Sequence, residues 1–259
     1  MNAAVPRRPL IAGNWKMHKT VADALSFVRD LRALALPENV DVVIAPPFTA
    51  LGAVGERLRG SPIALGAQTM HEADEGPFTG EVSPVMLKEL GVRFVIVGHS
   101  ERRAEFGEVD EAINRKVRSA LAHDLTPIVA VGETQAQFER HETRLTVTRQ
   151  VRAAFGAVKP EDVARCVVAY EPIWAIGTGL VCEPENANAV MSEIRAAVDG
   201  LQHARILYGG SMKGDNAASL TAQPHIDGGL IGGASLTAAS FAAVIDAAAS
   251  EASSLAKRA

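Results

Sequence analysis

Asn14, Lys16, His99 and Glu171 each stand shortly after the end of a short apolar run, and two glycine turns, Gly209-Gly210-Ser211 and Gly232-Gly233, stand in the same place after later runs. A carboxylate, an imidazole and an ammonium gathered around one anion make a proton-transfer site, with a base, a hydrogen-bond donor and a fixed positive charge. Glycine turns that open a helix let backbone N–H groups reach a phosphate, because no Cβ intervenes. Singly, each signal is weak. A lysine past a strand is more often solvated, a lone histidine is more often structural, and a glycine pair often serves only a tight turn. Gly98-His99-Ser100 could open a nucleophile elbow, but Arg102 stands where that motif has glycine. Glu101, Arg102 and Arg103 read equally well as a solvated charge run.

The stretch from Tyr170 to Gly179 is the most unusual. Glu171 and Pro172 stop a strand, Ile173, Trp174 and Ala175 are apolar, and Gly177 and Gly179 free the backbone. A connecting loop would be polar; this composition suits a lid that shuts out water. The plainer alternative makes Glu171 a solvated strand-end acid and Trp174 an ordinary loop aromatic.

Eight apolar runs supply the ends at which these residues sit: Pro9 to Ala12, Val40 to Ala45, Ile63 to Ala67, Phe94 to Val97, Pro127 to Val131, Cys166 to Tyr170, Arg205 to Tyr208 and Gly229 to Ile231. Each is continuously apolar, as strands buried on both faces are, and such sheets are parallel. Helical spacing falls between them: after the Thr20/Asp23 capping box, then Leu51 to Leu58, Val85 to Leu90, Glu111 to Ala122, Arg144 to Ala154, Glu185 to Val198, after Asn216, and through Phe241, Val244, Ile245 and Ala248. Eight alternations without a linker predict a single (β/α)8 TIM barrel over residues 1–259, with 1–7 and 251–259 as loose tails. A doubly wound sheet is the alternative, but its glycine fingerprint is missing after the first strand. Gln68 to Glu81 is long for a connection, which marks it as functional.

Composition limits the partners. The formal net charge of −4 and sequence pI near 6.0 argue against a nucleic-acid or membrane-surface binder. Cys166 and Cys182 form neither a disulfide framework nor a zinc pattern, which points to reduced thiols and a cytoplasmic protein. No run reaches membrane-spanning length, and Arg7-Arg8 is a poor start for a signal peptide.

Gly13-Asn14-Trp15-Lys16-Met17, Gly98-His99-Ser100-Glu101-Arg102-Arg103, Tyr170 to Gly179 and Tyr208-Gly209-Gly210-Ser211 together resemble the triosephosphate isomerase family, in order, from about Leu10 to Ala248. The resemblance implies interconversion of dihydroxyacetone phosphate and D-glyceraldehyde 3-phosphate, a step of glycolysis and gluconeogenesis, without cofactor or metal. It implies Glu171 as base, His99 as neutral electrophile and Lys16 as the positive charge, the assignment established for the family. Asn14, Gly177, Ser211, Gly232 and Gly233 would bind the substrate. Glu101 would partner Lys16, Tyr208 and Ser211 would latch a closed lid, and Glu133 would hold Trp174 in the open form. The Gln68 to Glu81 loop would grip a second subunit near its Asn14 and Lys16, giving a homodimer. Leu180-Val181-Cys182 departs from the usual hinge, and His18, Pro77 and Ala130 also differ from common family residues. Two other readings compete: a phosphate-binding lyase or aldolase, and a catalytically dead barrel kept as an assembly module. Tyr170 and Glu171 stand where an aldolase would need its Schiff-base lysine.

Overall fold

A computed structural model describes residues 7–175 and 182–258, with side chains to residue 253. Its eight strands are β1 Leu10–Asn14, β2 Asp41–Ala45, β3 Ala64–Ala67, β4 Phe94–Val97, β5 Thr126–Val131, β6 Val167–Tyr170, β7 Arg205–Tyr208 and β8 Gly228–Ile231. They pair in parallel in sequence order, and β8 returns to β1, closing a barrel. The helices are α1 Val21–Arg32, α2 Phe48–Leu58, α3 Pro84–Glu89, α4 Ser100–Glu105, α5 Asp110–Ala122, α6 Gln135–Glu139, α7 Thr143–Ala154, α8 Pro160–Val163, α9 Pro184–Ala196, α10 Ala217–Thr221 and α11 Ala238–Arg258.

Strand parity explains the continuous apolar runs. Leu10 and Ala12, Phe94 and Ile96, Ile128 and Ala130, and Val167 and Ala169 share one cluster inside the barrel. Their neighbours Ile11, Val95, Val97, Val129 and Val168 pack outward with Phe27, Val54, Val117 and Val151 of the helices. Side chains alternate along a strand, so both faces need apolar residues when both are buried. Asn14 and Glu171 continue the inward parity of Leu10-Ala12 and Val167-Ala169, and that places them over the barrel mouth.

Several boundaries differ from the sequence reading. β1 runs two residues past Ala12, because Gly13 and Asn14 still pair with Ile44 and Ala45. α2 starts at Phe48, directly behind Pro47. The short helices α4, α6 and α8 had no periodic signature, being at most six residues long. The chain beyond Ala248 continues as helix to Arg258, as an alanine-rich sequence favours, and Ser253 Oγ accepts from Asn39 Nδ2 at 3.1 Å. Arg7 is tied down too, donating to Asp227 Oδ1 at 2.8 Å. The expected Thr20/Asp23 capping box opens α1. Cys166 and Cys182 are free and buried. Among the described residues no helix is long and apolar enough to cross a membrane.

Candidate active site

Lys16 leaves β1 in the left-handed region, at φ 50°, a conformation that disfavours side chains with a Cβ. Asn14 Oδ1 accepts the Lys16 N–H at 3.1 Å, fixing the turn, and Gln68 Nε2 donates to Lys16 O at 2.9 Å from the loop after β3. The ammonium donates to Glu101 Oε1 at 2.7 Å. This pair is partly exposed, with side chains 29% and 51% accessible, so it orients Lys16 more than it stabilises the fold.

His99 is the N-cap of α4, and its Nδ1 accepts the Glu101 N–H at 3.3 Å. The turn beneath it is braced twice. Arg103 Nε donates to Gly98 O at 2.8 Å while its Nη1 reaches Asp110 Oδ1 at 2.6 Å. From the other side Glu108 Oε2 accepts the Gly98 N–H at 3.0 Å, and its other oxygen pairs with Lys116. Arg103 is therefore structural and largely buried; the solvated-run reading fails for it.

Glu171 is also no solvated acid, being 2% exposed. Its Oε1 lies 3.0 Å from His99 Nε2, and its Oε2 accepts the Ser100 N–H at 2.9 Å. Its backbone is squeezed between neighbours. A Cβ at Gly132 would lie 1.8 Å from Glu171 O, and one at Gly209 would lie 2.8 Å from Glu171 Cγ. Neither position can carry a side chain without moving the carboxylate. Glu133 clamps the residues on either side. Its Oε1 accepts from the Tyr170 hydroxyl at 3.0 Å and from Trp174 Nε1 at 2.7 Å. Trp174 also stacks on Phe138, with ring centroids 4.2 Å apart. The expected Glu133–Trp174 contact is thus present. Burial pushes the Glu133 carboxyl above its usual range, and the hydrogen bonds it accepts only partly offset that.

Burial raises the pKa of Glu171, yet the adjoining His99 and the Ser100 N–H outweigh it, and the net direction is downward. For His99, burial lowers the pKa, and the Glu171 carboxylate, with Glu101 behind it, turns the net direction upward. The Glu101 amide resists that second proton, because an Nδ1 that accepts a hydrogen bond carries none. In its neutral form the ring therefore carries its proton on Nε2, directed at Glu171. Without the carboxylate beside it, burial and the helix N-terminus both favour the neutral ring.

These groups share one cavity of about 620 Å³, lined by Asn14, Lys16, His99, Glu171, Ser211, Gly232 and Gly233. A Cβ at Gly232 would sit 3.7 Å from Lys16 Cε, and Gly233 faces open space, so the glycine turn and the ammonium border the same volume. Glu101 touches Lys16, Trp174 belongs to the Glu133 clamp, and buried Tyr208 lies beneath Gly210. Gly177 lies outside the described residues. Among the described residues no group of three or more His, Cys, Asp or Glu is placed to hold a metal.

Sequence reasoning missed Glu108 and Lys116, the bracing role of Arg103 and the packing role of Gly132 and Gly209. Gly132 follows an apolar run just as the other strand-end residues do and could have been found that way. Glu108 sits in a polar loop with nothing to distinguish it.

The chain matches the family model for triosephosphate isomerase over residues 9–248. It is 53% identical over 246 residues to the triosephosphate isomerase of Chloroflexus aurantiacus, covering 92% of this chain and 98% of that protein. It is 52% identical over 246 residues to the one from Roseiflexus sp., covering 92% and 97%, and 49% identical over 246 residues to the one from Caldanaerobacter subterraneus subsp. tengcongensis, covering 93% and 99%. With a closed eight-stranded barrel, an acid, an imidazole and an ammonium on one cavity, and relatives matched over nearly their whole length, this chain belongs to the triosephosphate isomerase family.

Proposed function

We propose that the chain interconverts dihydroxyacetone phosphate and D-glyceraldehyde 3-phosphate by moving a proton between adjacent carbons. The observation that carries this is the meeting of Glu171, His99 and Lys16 on one cavity that also takes in Gly232 and Gly233. The carbon acid is weak, so a base alone is slow; the oxygen that gains charge must be stabilised as the proton leaves. Glu171 takes the proton from C1 of the ketose. The electron pair moves to the carbonyl oxygen, which accepts a hydrogen bond from His99 Nε2–H and faces the Lys16 ammonium. The carboxyl returns a proton to C2, and the hydroxyl proton passes between the two oxygens through His99. One carboxylate both removes and restores the proton, so the net reaction needs no oxidant and no cofactor.

The substrate oxygen takes over the Nε2–H that meets Glu171 in this structure, so base and donor are paired until substrate separates them. A neutral imidazole suits this step, since a weak acid is best matched by a donor of similar acidity. Asn14 and Ser211 supply further hydrogen bonds, and the backbone of Gly232 and Gly233 holds the phosphate. A coupled assay of triose phosphate turnover, with wild type and Glu171→Gln in parallel, tests the reading; equal rates for the two proteins would refute it.

We also propose a homodimer and a cytoplasmic location. Met17, Phe78, Val85 and Met86 are exposed, at 95%, 43%, 50% and 50%, near or within the loop 68–81 and the helix that follows. That loop is held in shape by its own chain through the Glu72–Arg115 ion pair, the 3.0 Å Asp74–His123 contact and the Thr69–Lys116 hydrogen bond. A preformed apolar arm suits a second copy of the same chain. Sedimentation at micromolar concentration should give twice the chain mass, and Phe78→Asp should give the monomer. The cytoplasmic location rests on the two free, buried thiols. Fractionation of cells producing the protein should find it with soluble cytoplasmic enzymes.

A further inference from the structure

Lys19 is in the left-handed region at φ 77°, where glycine would fit without strain, yet a lysine stands there. Its side chain does not line the cavity. Its Nζ lies 5.3 Å from the Trp15 ring centroid and 5.0 Å from that of Phe27, two buried rings in edge contact. From there it donates to Leu236 O at 2.8 Å, across the barrel seam from β1 to the far side of β8. Leu236 closes the 3-10 turn Gly233–Ser235, whose first residue is one of the two glycines at the cavity. Other carbonyls of this turn are tied back within it. Gly232 O accepts from Ser235 N and Oγ, Gly233 O from Leu236 N, and Ala234 O from Ser240 Oγ. Among the described residues, the Leu236 carbonyl is the one of this turn held from the β1 side, by Lys19. Asp23 also feels the Lys19 charge, but its own carboxylate is occupied by the Thr20 cap.

We propose that Lys19 is a positioning residue that locks the turn after β1 to the turn after β8. It thereby sets the distance between the Lys16 ammonium and the phosphate-facing backbone of Gly232 and Gly233. A cation over two buried rings with a carbonyl beyond them has little freedom, so the two turns move as one body. This rests on the reading that those glycines take the phosphate. The consequence is selective: loosening the bridge harms recognition of the phosphate group and leaves the proton-transfer groups in place.

Lys19→Met, Lys19→Gly and Lys19→Arg, each assayed on D-glyceraldehyde 3-phosphate and on D-glyceraldehyde, test this. The second substrate has the same reacting carbons and no phosphate. Lys19→Met and Lys19→Gly should lose about tenfold in kcat/KM on the phosphate ester and stay within about twofold on glyceraldehyde. Lys19→Arg, which keeps cation and donor, should recover most of the loss. Lys19→Gly relieves the backbone, so its urea midpoint should match or exceed that of Lys19→Met. Equal losses on both substrates, or none on either, would overturn the proposal. Calorimetric titration of inorganic phosphate into wild type and the three variants separates this from the activity itself. Should wild type turn over neither triose, the functional reading fails, while about tenfold weaker phosphate binding in Lys19→Met and Lys19→Gly still supports the bridge and unchanged binding removes it.

Discussion

Two clusters of titratable side chains sit at opposite ends of the same barrel. At the N-terminal end Asp227 accepts from Arg7 Nε at 2.8 Å, Arg195 Nη2 at 2.6 Å and the Ile206 N–H at 2.8 Å. Arg195 also donates to Leu201 O at 3.0 Å and Ala204 O at 2.8 Å. At the C-terminal end His99 and Glu171 are as deeply buried, but they face a cavity rather than a wall of carbonyls. Burial opposes the Arg195 charge, and Asp227 beside it offsets that only in part. The first cluster finds its partners within its own chain, except at Arg195 Nε, and joins β7, β8, α9 and the chain start. In the second, the bond between imidazole and carboxylate is one a substrate oxygen can replace. The same burial that fixes a fold at one end readies a proton at the other, and the difference lies in what stands beside each pair.

The largest separation of the two ends should come from Glu171→Gln. Glutamine still accepts the Ser100 N–H, so the melting temperature should hold within a few degrees, while turnover falls by about 10⁴-fold. A loss below tenfold would mean the cavity pair is merely structural. Asp227→Ala should do the reverse. It strands a buried guanidinium, and urea denaturation should show about 3–5 kcal/mol of lost stability, with kcat of the folded protein nearly unchanged. Gly209→Ala sharpens the contrast within the site, because its methyl would press on Glu171 Cγ. We expect about 10- to 100-fold lower kcat from a displaced base, read by the coupled assay with circular dichroism unaltered.

The smallest effect is in pH. The lowered pKa of Glu171 contributes stability above its ordinary value, about 4.3, which is lost as pH falls through the depressed value. The raised pKa of His99 contributes below about 6.5, and that contribution is lost as pH rises through the elevated value. The melting-temperature advantage of wild type over Glu171→Gln should therefore be greatest between about pH 4.3 and 6.5 and shrink on both sides. A difference that shrinks neither below about pH 4.3 nor above about 6.5 would show that the pair is not coupled.

The barrel was legible because its requirement is repetitive: eight runs with both faces apolar leave few alternatives. The candidate site was legible because Glu171, His99 and Asn14 interrupt or follow such runs with groups that burial penalises. What lay hidden depends on approach between distant segments. That Gly132 and Gly209 must lack a side chain because of Glu171 is a fact of three dimensions, with 37 residues between Glu171 and Gly209. Short α4 was obscured because its cap is a histidine, a residue type that seldom announces a helix start. The end of α11 was misread since an Ala- and Ser-rich composition serves helix and loose tail alike.

Lys16, like Lys19, joins two opposed demands: its backbone asks for glycine and its side chain must carry an ammonium. Protein engineers who seek heat tolerance by relieving left-handed positions would be drawn to this turn, where a glycine gains stability and removes the charge. Directed evolution for robustness and directed evolution for rate should accordingly diverge at this codon before they diverge anywhere in the barrel wall.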